Sequence, residues 1–364
     1  MDKSIGGICF VIPSLSSGGA ERVVSVLASQ LADDGYDVSV IKYFDTFDDY
    51  HVSPKVKVSC ISKGNELDYK KLSLFKKIKL IRQEVESIKP RFIVPFLPHV
   101  AVHAFIACIG LSVHFIQTIR VAPQKAPASK LLRLLRDMLV AISYSTFVQT
   151  YSQKMYFSRL LHKKIFVLPN PISNEILSTN VVGKNNIKEI ISVGRLSSQK
   201  NFPLLIKAVK VLIDAGENIE LAIYGEGEDK ASLQKLIFSL GMSDKCFLRG
   251  RTNDVAKVLS KSDLFVMCSN FEGMPNALME AMAVGLPCVS TNCETGPAEL
   301  LSNDKGLLVP VNDKDKIVSA IKFMIDNPKV ANRFGNASKQ FMKEQYGADK
   351  IAKDFIRLVI LKRT

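Results

Sequence analysis

No CxxC pair occurs among the seven cysteines (Cys9, Cys60, Cys108, Cys246, Cys268, Cys288 and Cys293), and their number is odd. That pattern indicates neither a disulfide framework nor a zinc site, and reduced, mostly buried thiols are expected. The opening MDKSIGGICFVIPSLSSGGAERVV has too short an apolar run for a signal peptide and leads straight into a folded motif, so a cytoplasmic chain is expected. There is no short-period repeat and no low-complexity tract. Acidic residues are scarce in the first half: residues 1–172 hold 13 Asp and Glu against 23 Lys and Arg, leaving 22 against 26 for the remainder. Most of the net charge of +14 therefore sits in that half, which suggests an anionic partner there.

Long apolar runs are also few. Phe92 to Ile119 passes 28 residues without Asp, Glu, Lys or Arg, enough in length to span a bilayer. Pro95, Pro98, Gly110 and three histidines divide it into FIVPFL, HVAVHAFIACIG and VHFIQTI, which reads as a buried strand, a helix and a strand of a parallel sheet.

What is present is a globular balance, 47% hydrophobic and 23% charged, over a length that suits two domains. Apolar β-rich runs alternate with helical patterns from GICFVIP onward, and the alternation restarts at IISVGRL. Such alternation predicts βαβ units and doubly wound α/β sheets. The expected domains are 1–180, 181–345 and a last helix over 346–364 that packs back towards the first domain. The polar stretch VVGKNNIKE (181–189) reads as the linker. Two such domains would face a central cleft at the carboxyl ends of their strands, where ligands of open sheets bind.

Four motifs lie at predicted strand-to-helix turns. In SLSSGGAERVV, Gly18 and Gly19 let an anion approach the backbone at a helix start, or serve a tight turn. In SVGRLSSQKNFPLL, Arg195 and Lys200 flank a loop before a helix with Asn201 as N-cap and Pro203 in its first turn; two cations there suit a departing diphosphate. In IYGEGEDK, Gly225 and Gly227 form a nucleotide-friendly turn of low specificity. In SNFEGMPNALMEAMAVG, Glu272 precedes a helix that starts near Pro275 or Asn276 and ends at Gly285, and Glu280 lies about one turn inside it. A carboxylate in the loop can meet sugar hydroxyls and a developing anomeric cation, and a deeper one can bind a ribose diol; both also suit the helix dipole.

With these residues in place the chain resembles family 4 of the retaining glycosyltransferases, which have the GT-B fold of two Rossmann-like domains. The resemblance rests on Arg195 and Lys200, on Glu272 and Glu280 with seven residues between, and on Gly18–Gly19. It is strong over 190–310 and loose over 30–165. It implies that Arg195 and Lys200 grip the donor diphosphate, that Glu280 binds the nucleotide ribose and that Glu272 contacts the donor sugar. It further implies that the backbone of Gly273, Met274, Pro275 and Asn276 touches the donor, with Gly19 near the reaction centre. No cofactor or metal is implied, in keeping with the lack of a DxD-type site before a donor loop, and UDP is the commonest donor nucleotide of the family. One departure stands out. Where many members carry a histidine after the strand corresponding to VHFIQTI, this chain has Arg120, which cannot act as a base and suits a phosphate or an acceptor hydroxyl. His99, after FIVPFLP, is the other polar residue at a strand end there.

The acceptor side is read from two basic amphipathic segments. Residues 68–90 combine Lys70, Lys71, Lys76, Lys77, Lys79 and Arg82 with leucines, isoleucines and Phe75, and residues 129–142 set Lys130, Arg133 and Arg136 among leucines. Each reads as a core-facing helix with a solvated basic face or as a surface for anionic lipid headgroups. Together they favour attachment to the inner face of a membrane and a lipid-linked or oligosaccharide acceptor. The expected activity is transfer of a hexose or N-acetylhexosamine from a nucleotide sugar in surface polysaccharide or glycoconjugate synthesis. A sugar-nucleotide epimerase of the same architecture is the alternative, and a non-catalytic basic module is a third. Nucleic acid is not expected as a partner, because aromatics do not interleave with the basic runs.

Overall fold

The computed structural model describes residues 5–16, 18–62, 64–181 and 186–360. The chain divides into two compact units, one running to Pro171 and resuming at Ala348, the other covering Ile172–Gly347.

The first unit is built on seven strands, β1 (Ile8–Ile12), β2 (Val38–Lys42), β3 (Lys57–Cys60), β4 (Phe92–Pro95), β5 (His114–Ile119), β6 (Ser145–Val148) and β7 (Ile165–Val167). They form one parallel sheet in the order β3-β2-β1-β4-β5-β6-β7. Every residue of β1, β4 and β6 is buried, as expected where helices cover both faces. Those helices are α1 (Gly19–Asp33), α2 (Glu66–Lys71), α3 (Leu74–Ile88), α4 (Pro98–Ala107), α5 (Lys130–Ile142) and α6 (Tyr151–Met155). The long uncharged run thus resolves into β4, α4 and β5. Among the described residues no helix is long and apolar enough to cross a membrane.

The second unit opens with α7 (Asn174–Ser178) and then alternates regularly: β8 (Glu189–Val193), α8 (Phe202–Asp214), β9 (Glu220–Tyr224), α9 (Lys230–Ser239), β10 (Cys246–Gly250), α10 (Val255–Lys261), β11 (Leu264–Met267), α11 (Asn276–Val284), β12 (Cys288–Thr291), α12 (Pro297–Leu301) and β13 (Leu307–Val309). Its parallel sheet has the order β10-β9-β8-β11-β12-β13. Two helices follow, α13 (Lys314–Asp326) and α14 (Pro328–Tyr346). Gly285 closes α11 in the left-handed conformation at φ 93°, the C-cap position its sequence indicated.

The division between units falls earlier than residue 180. Ile172 pairs with Gly347 and its amide donates to the Tyr346 carbonyl at 2.7 Å, so the chain joins the second unit before α7. The stretch 181–189 is not free-standing at its described ends, because the Val181 amide donates to the Val284 carbonyl and Ile187 is buried in the second core; residues 182–185 lie outside the described residues. The last helix, α15 (Ala348–Ile360), returns to the first unit. Phe355 packs on Phe10 and Phe147 at ring separations of 6.0 and 5.4 Å, and Ile351, Ala352, Ile356 and Val359 complete the buried stripe. Residues 361–364 lie outside the described residues.

All seven cysteines are free, and all but Cys60 are buried. Burial raises the thiols of Cys9, Cys246 and Cys268 to about 12, which leaves them protonated and unreactive.

Candidate active site

Strand ends position the donor-side residues in the second unit. The loop after β8 carries Arg195 and Lys200, the loop after β9 carries Gly225 and Gly227, and the loop after β11 carries Glu272 through Pro275 into α11. These strands are neighbours, in the order β9-β8-β11, so parallel pairing places the three loops side by side at one end of the sheet.

An ion pair joins the loops after β8 and β11. Lys200 Nζ donates to Glu272 Oε1 at 2.6 Å, with side chains 17% and 8% exposed. Its environment is largely shielded from water, which strengthens the attraction and holds the ammonium at a fixed point. A lattice of polar contacts fixes the same two loops. Gln199 Nε2 donates to the Phe271 carbonyl at 2.9 Å, the Asn270 amide donates to the Gln199 carbonyl at 2.8 Å, and Asn270 Nδ2 donates to the Ser198 carbonyl at 2.9 Å. The Thr295 hydroxyl donates to the carbonyl of Glu272 itself. Arg195, by contrast, is exposed and has no ion pair among the described residues, so its guanidinium is available to an anion.

Asn201 occupies the N-cap of α8, but in the left-handed conformation at φ 50° and without a side-chain cap. Its side-chain amide donates instead to Asn270 Oδ1 at 3.2 Å and to Asn312 Oδ1 at 2.8 Å. The expected capping role is thus exchanged for a tie between loops. Gly225 and Gly227 serve the protein's own backbone. A Cβ at Gly225 (φ 147°) would lie 1.9 Å from the Gly194 carbonyl oxygen, and one at Gly227 2.2 Å from that of Leu196. Glycine is required there so that the β9 loop can lie against the loop bearing Arg195, and the Leu196 amide donates to the Glu226 carbonyl at 3.0 Å.

Glu280 is 4% exposed, one turn inside α11. No side chain caps the start of α11, whose N-cap is Pro275, and Met274 just before it is 5% exposed. The supporting residues Gln199, Asn270 and Thr295 were not singled out by sequence. Asn270 and Gln199 had a signal only as parts of the loops SNFEG and SSQKN.

In the first unit Gly18 is the N-cap of α1 and Gly19 its first residue. His99 lies in the first turn of α4, edge-on to His103 at 6.1 Å, and partial desolvation of its ring together with Lys77 lowers its pKa, which keeps it neutral at pH 7. Arg120 follows β5. Its Nη1 donates to Asn170 Oδ1 at 3.0 Å, and its guanidinium lies 4.5 Å from the Phe96 ring centroid.

The two basic segments part company. The first breaks at Ser73, whose hydroxyl accepts from the Lys76 amide, giving α2 and α3 with Leu74 and Phe75 exposed at the junction. In α5 the expected basic face is corrected: Arg136 is buried, and Leu131, Leu132, Leu134 and Leu135 are outside while Leu139 packs inward. Arg136 donates to the carbonyls of Pro123 and Ala126 at 2.7 and 2.6 Å and pairs with Asp137 at 2.7 Å. Leu131, Leu134, Met138 and Ile142 form an exposed stripe, each 56% exposed or more. Lys130 and Arg133 remain near its start.

Among the described residues there is no group of three or more His, Cys, Asp and Glu placed to hold a metal.

Residues 177–341 match the family model described as glycosyl transferases group 1. This chain carries a group 1 glycosyltransferase domain. An uncharacterized glycosyltransferase of Haemophilus influenzae is 29% identical over 97% of this chain and 99% of its own length. The GalNAc-alpha-(1->4)-GalNAc-alpha-(1->3)-diNAcBac-PP-undecaprenol alpha-1,4-N-acetyl-D-galactosaminyltransferase of Campylobacter jejuni is 27% identical over 97% and 98%. A crystal structure of S. aureus TarM with Fondaparinux, alpha-GlcNAc-glycerol and UDP superposes with a TM-score of 0.81 at 15% identity, covering 98% of this chain and 100% of that one. The fold is therefore GT-B, as the resemblance implied.

Proposed function

We propose that the protein is a retaining glycosyltransferase that moves a hexose or N-acetylhexosamine from a UDP-sugar to a lipid-linked glycan, in surface polysaccharide or glycoconjugate synthesis. The observation that carries the reading is the Lys200–Glu272 pair beside Arg195, at adjoining strand ends of a group 1 domain. UDP as donor nucleotide is supported by the UDP-bound TarM complex, and a lipid diphosphate acceptor by the name of the Campylobacter relative.

In this reading Arg195 and Lys200 hold the donor diphosphate. The C1–O bond to the β-phosphate breaks, the bonding electrons leave with the diphosphate, and the two cations stabilise that charge as it develops. The acceptor hydroxyl adds to C1 from the same face, and its proton passes to a departing phosphate oxygen, so the configuration is kept. Glu272 stands beside the anomeric centre, where its carboxylate meets positive charge on the sugar, and Lys200 releases it as phosphate takes its place. Glu280 takes the ribose diol, and the α11 start with Gly273, Met274, Pro275 and Asn276 contacts donor oxygens. Gly18 and Gly19 open the α1 start to the donor, and Gly225 and Gly227 keep the Arg195 loop in place. Because protein cations neutralise the leaving group, a chelator should leave turnover unchanged.

The exposed α5 stripe, with Lys130 and Arg133 near its start, suits the boundary of an anionic bilayer, and we assign the inner face of a membrane as the working location. The test is to incubate the protein with UDP-, GDP- and ADP-sugars, with and without membrane extract, and to follow nucleotide release and the anomeric configuration of the product. Release that requires extract, with retention, is expected. Isomerisation of the sugar nucleotide without acceptor would instead establish an epimerase.

A further inference from the structure

Arg120 differs from Lys200 in having no carboxylate to neutralise it, and from the solvent-exposed Arg195 in carrying a buried donor atom. Among the described residues no carboxylate pairs with it. Its partners are a neutral amide oxygen and an aromatic face. Burial alone pushes the guanidinium down to about 9, which still leaves it charged at neutral pH. Its Nε is buried with no hydrogen-bond partner. A half-buried cation whose Nε is itself shut off from water and unpartnered is costly, and such a group calls for a partner that completes it.

The surroundings hold the guanidinium in one orientation. Asn170 is 2% exposed, and its Oδ1 also accepts from Gln149 Nε2 at 2.8 Å, with Gln149 itself 3% exposed. Gln149 follows β6, Asn170 follows β7, Arg120 follows β5 and Phe96 follows β4, so four adjacent strand ends build the cluster. With Nη1 taken by Asn170 and one face taken by Phe96, the edge that remains is Nε with Nη2. That edge is the one a planar pair of oxyanion oxygens engages side-on, with two parallel N–H···O bonds.

We infer that Arg120 anchors an oxyanion subsite in the first unit, filled by phosphate oxygens of the diphosphate that links the acceptor glycan to its lipid. The choice of a diphosphate acceptor rests on the function proposed above; the oxyanion site itself rests on the unpaired Nε–Nη2 edge.

Inorganic pyrophosphate is the probe, with binding followed by thermal shift and calorimetry on the full chain. The double variant R195A/K200A removes the proposed donor cations. It should lose most UDP binding yet keep a pyrophosphate response. Adding R120Q should weaken that response about tenfold to a hundredfold, the loss expected when a charged hydrogen-bond pair is removed. A second variant, N170D, keeps the arginine and sets a carboxylate against it, and should abolish the response while leaving the fold intact. In the otherwise native protein, R120Q should leave UDP affinity unchanged.

No pyrophosphate response in R195A/K200A, or an undiminished one after R120Q or N170D, would overturn the subsite. Equal losses of UDP and pyrophosphate binding in R120Q would assign Arg120 to the donor and overturn the acceptor part. Failure of the donor reading has a separate signature, namely UDP affinity that survives R195A/K200A.

Discussion

Two cations at strand ends, Lys200 in the second unit and Arg120 in the first, meet opposite surroundings. Lys200 is gripped by Glu272, and Gln199, Asn270 and Thr295 tie the two loops together. Arg120 is equally fixed in place, but by groups that carry no charge. A paired cation can pass between a carboxylate and a substrate phosphate with little change in local charge. An unpaired one is a standing demand for an anion. Under the proposed function, the second unit would exchange partners during the reaction, and Arg120 would hold a part of the acceptor away from the reacting hydroxyl.

Breaking the paired site should have the largest effect. Lys200→Ala and Glu272→Ala should each lower kcat by about a hundredfold to a thousandfold, the scale of losing one charge-stabilising group in a transition state. The fold should persist, because each residue sits at a loop and outside the hydrophobic core. Steady-state kinetics with circular dichroism checks both statements, and near-normal turnover in both variants would remove the site assignment.

The next contrast concerns α5 and α3. The sequences read alike, as basic residues among leucines, yet only α5 turns Arg136 inward and a leucine stripe outward. Replacing Leu131, Leu134 and Met138 together by Asp should cost no stability, since these side chains leave no cavity when changed. It should lower co-sedimentation with anionic vesicles about tenfold or more, from lost apolar burial and added repulsion. Unchanged co-sedimentation would dissociate α5 from the membrane.

The parallel sheets were legible because βαβ alternation and buried strand runs are local signals, and the match extends to the strand–helix–strand reading of 92–119. The strand-end cations and the two glutamates were legible for the same reason: Arg195, Lys200, Glu272 and Glu280 lie in short segments whose flanks fix their position. What could not be read was pairing between distant segments. Lys200 and Glu272 are 72 residues apart in the chain, and Arg120 and Asn170 are 50 apart. The burial of Arg136 was hidden too, because its partners are backbone carbonyls, which no sequence displays. The glycines at 225 and 227 were read for a ligand, whereas the close approach they permit is to the backbone of residues 194–196.

The smallest effect should come from Asn270, a residue that touches both loops of the paired site and carries no charge. Its side chain donates to the Ser198 carbonyl and accepts from Asn201 Nδ2. Asn270→Ala should cost about 1 kcal/mol of stability, the net worth of a neutral hydrogen bond or two, and should loosen the loop that aims Arg195 and Lys200. A positioning role predicts a donor KM raised roughly threefold to tenfold with a smaller change in kcat, because the groups that act in the transition state are still present. A fall in kcat as large as that of Lys200→Ala would mean that Asn270 acts on the reacting atoms themselves, and a loss of stability without any change in KM would confine it to the fold.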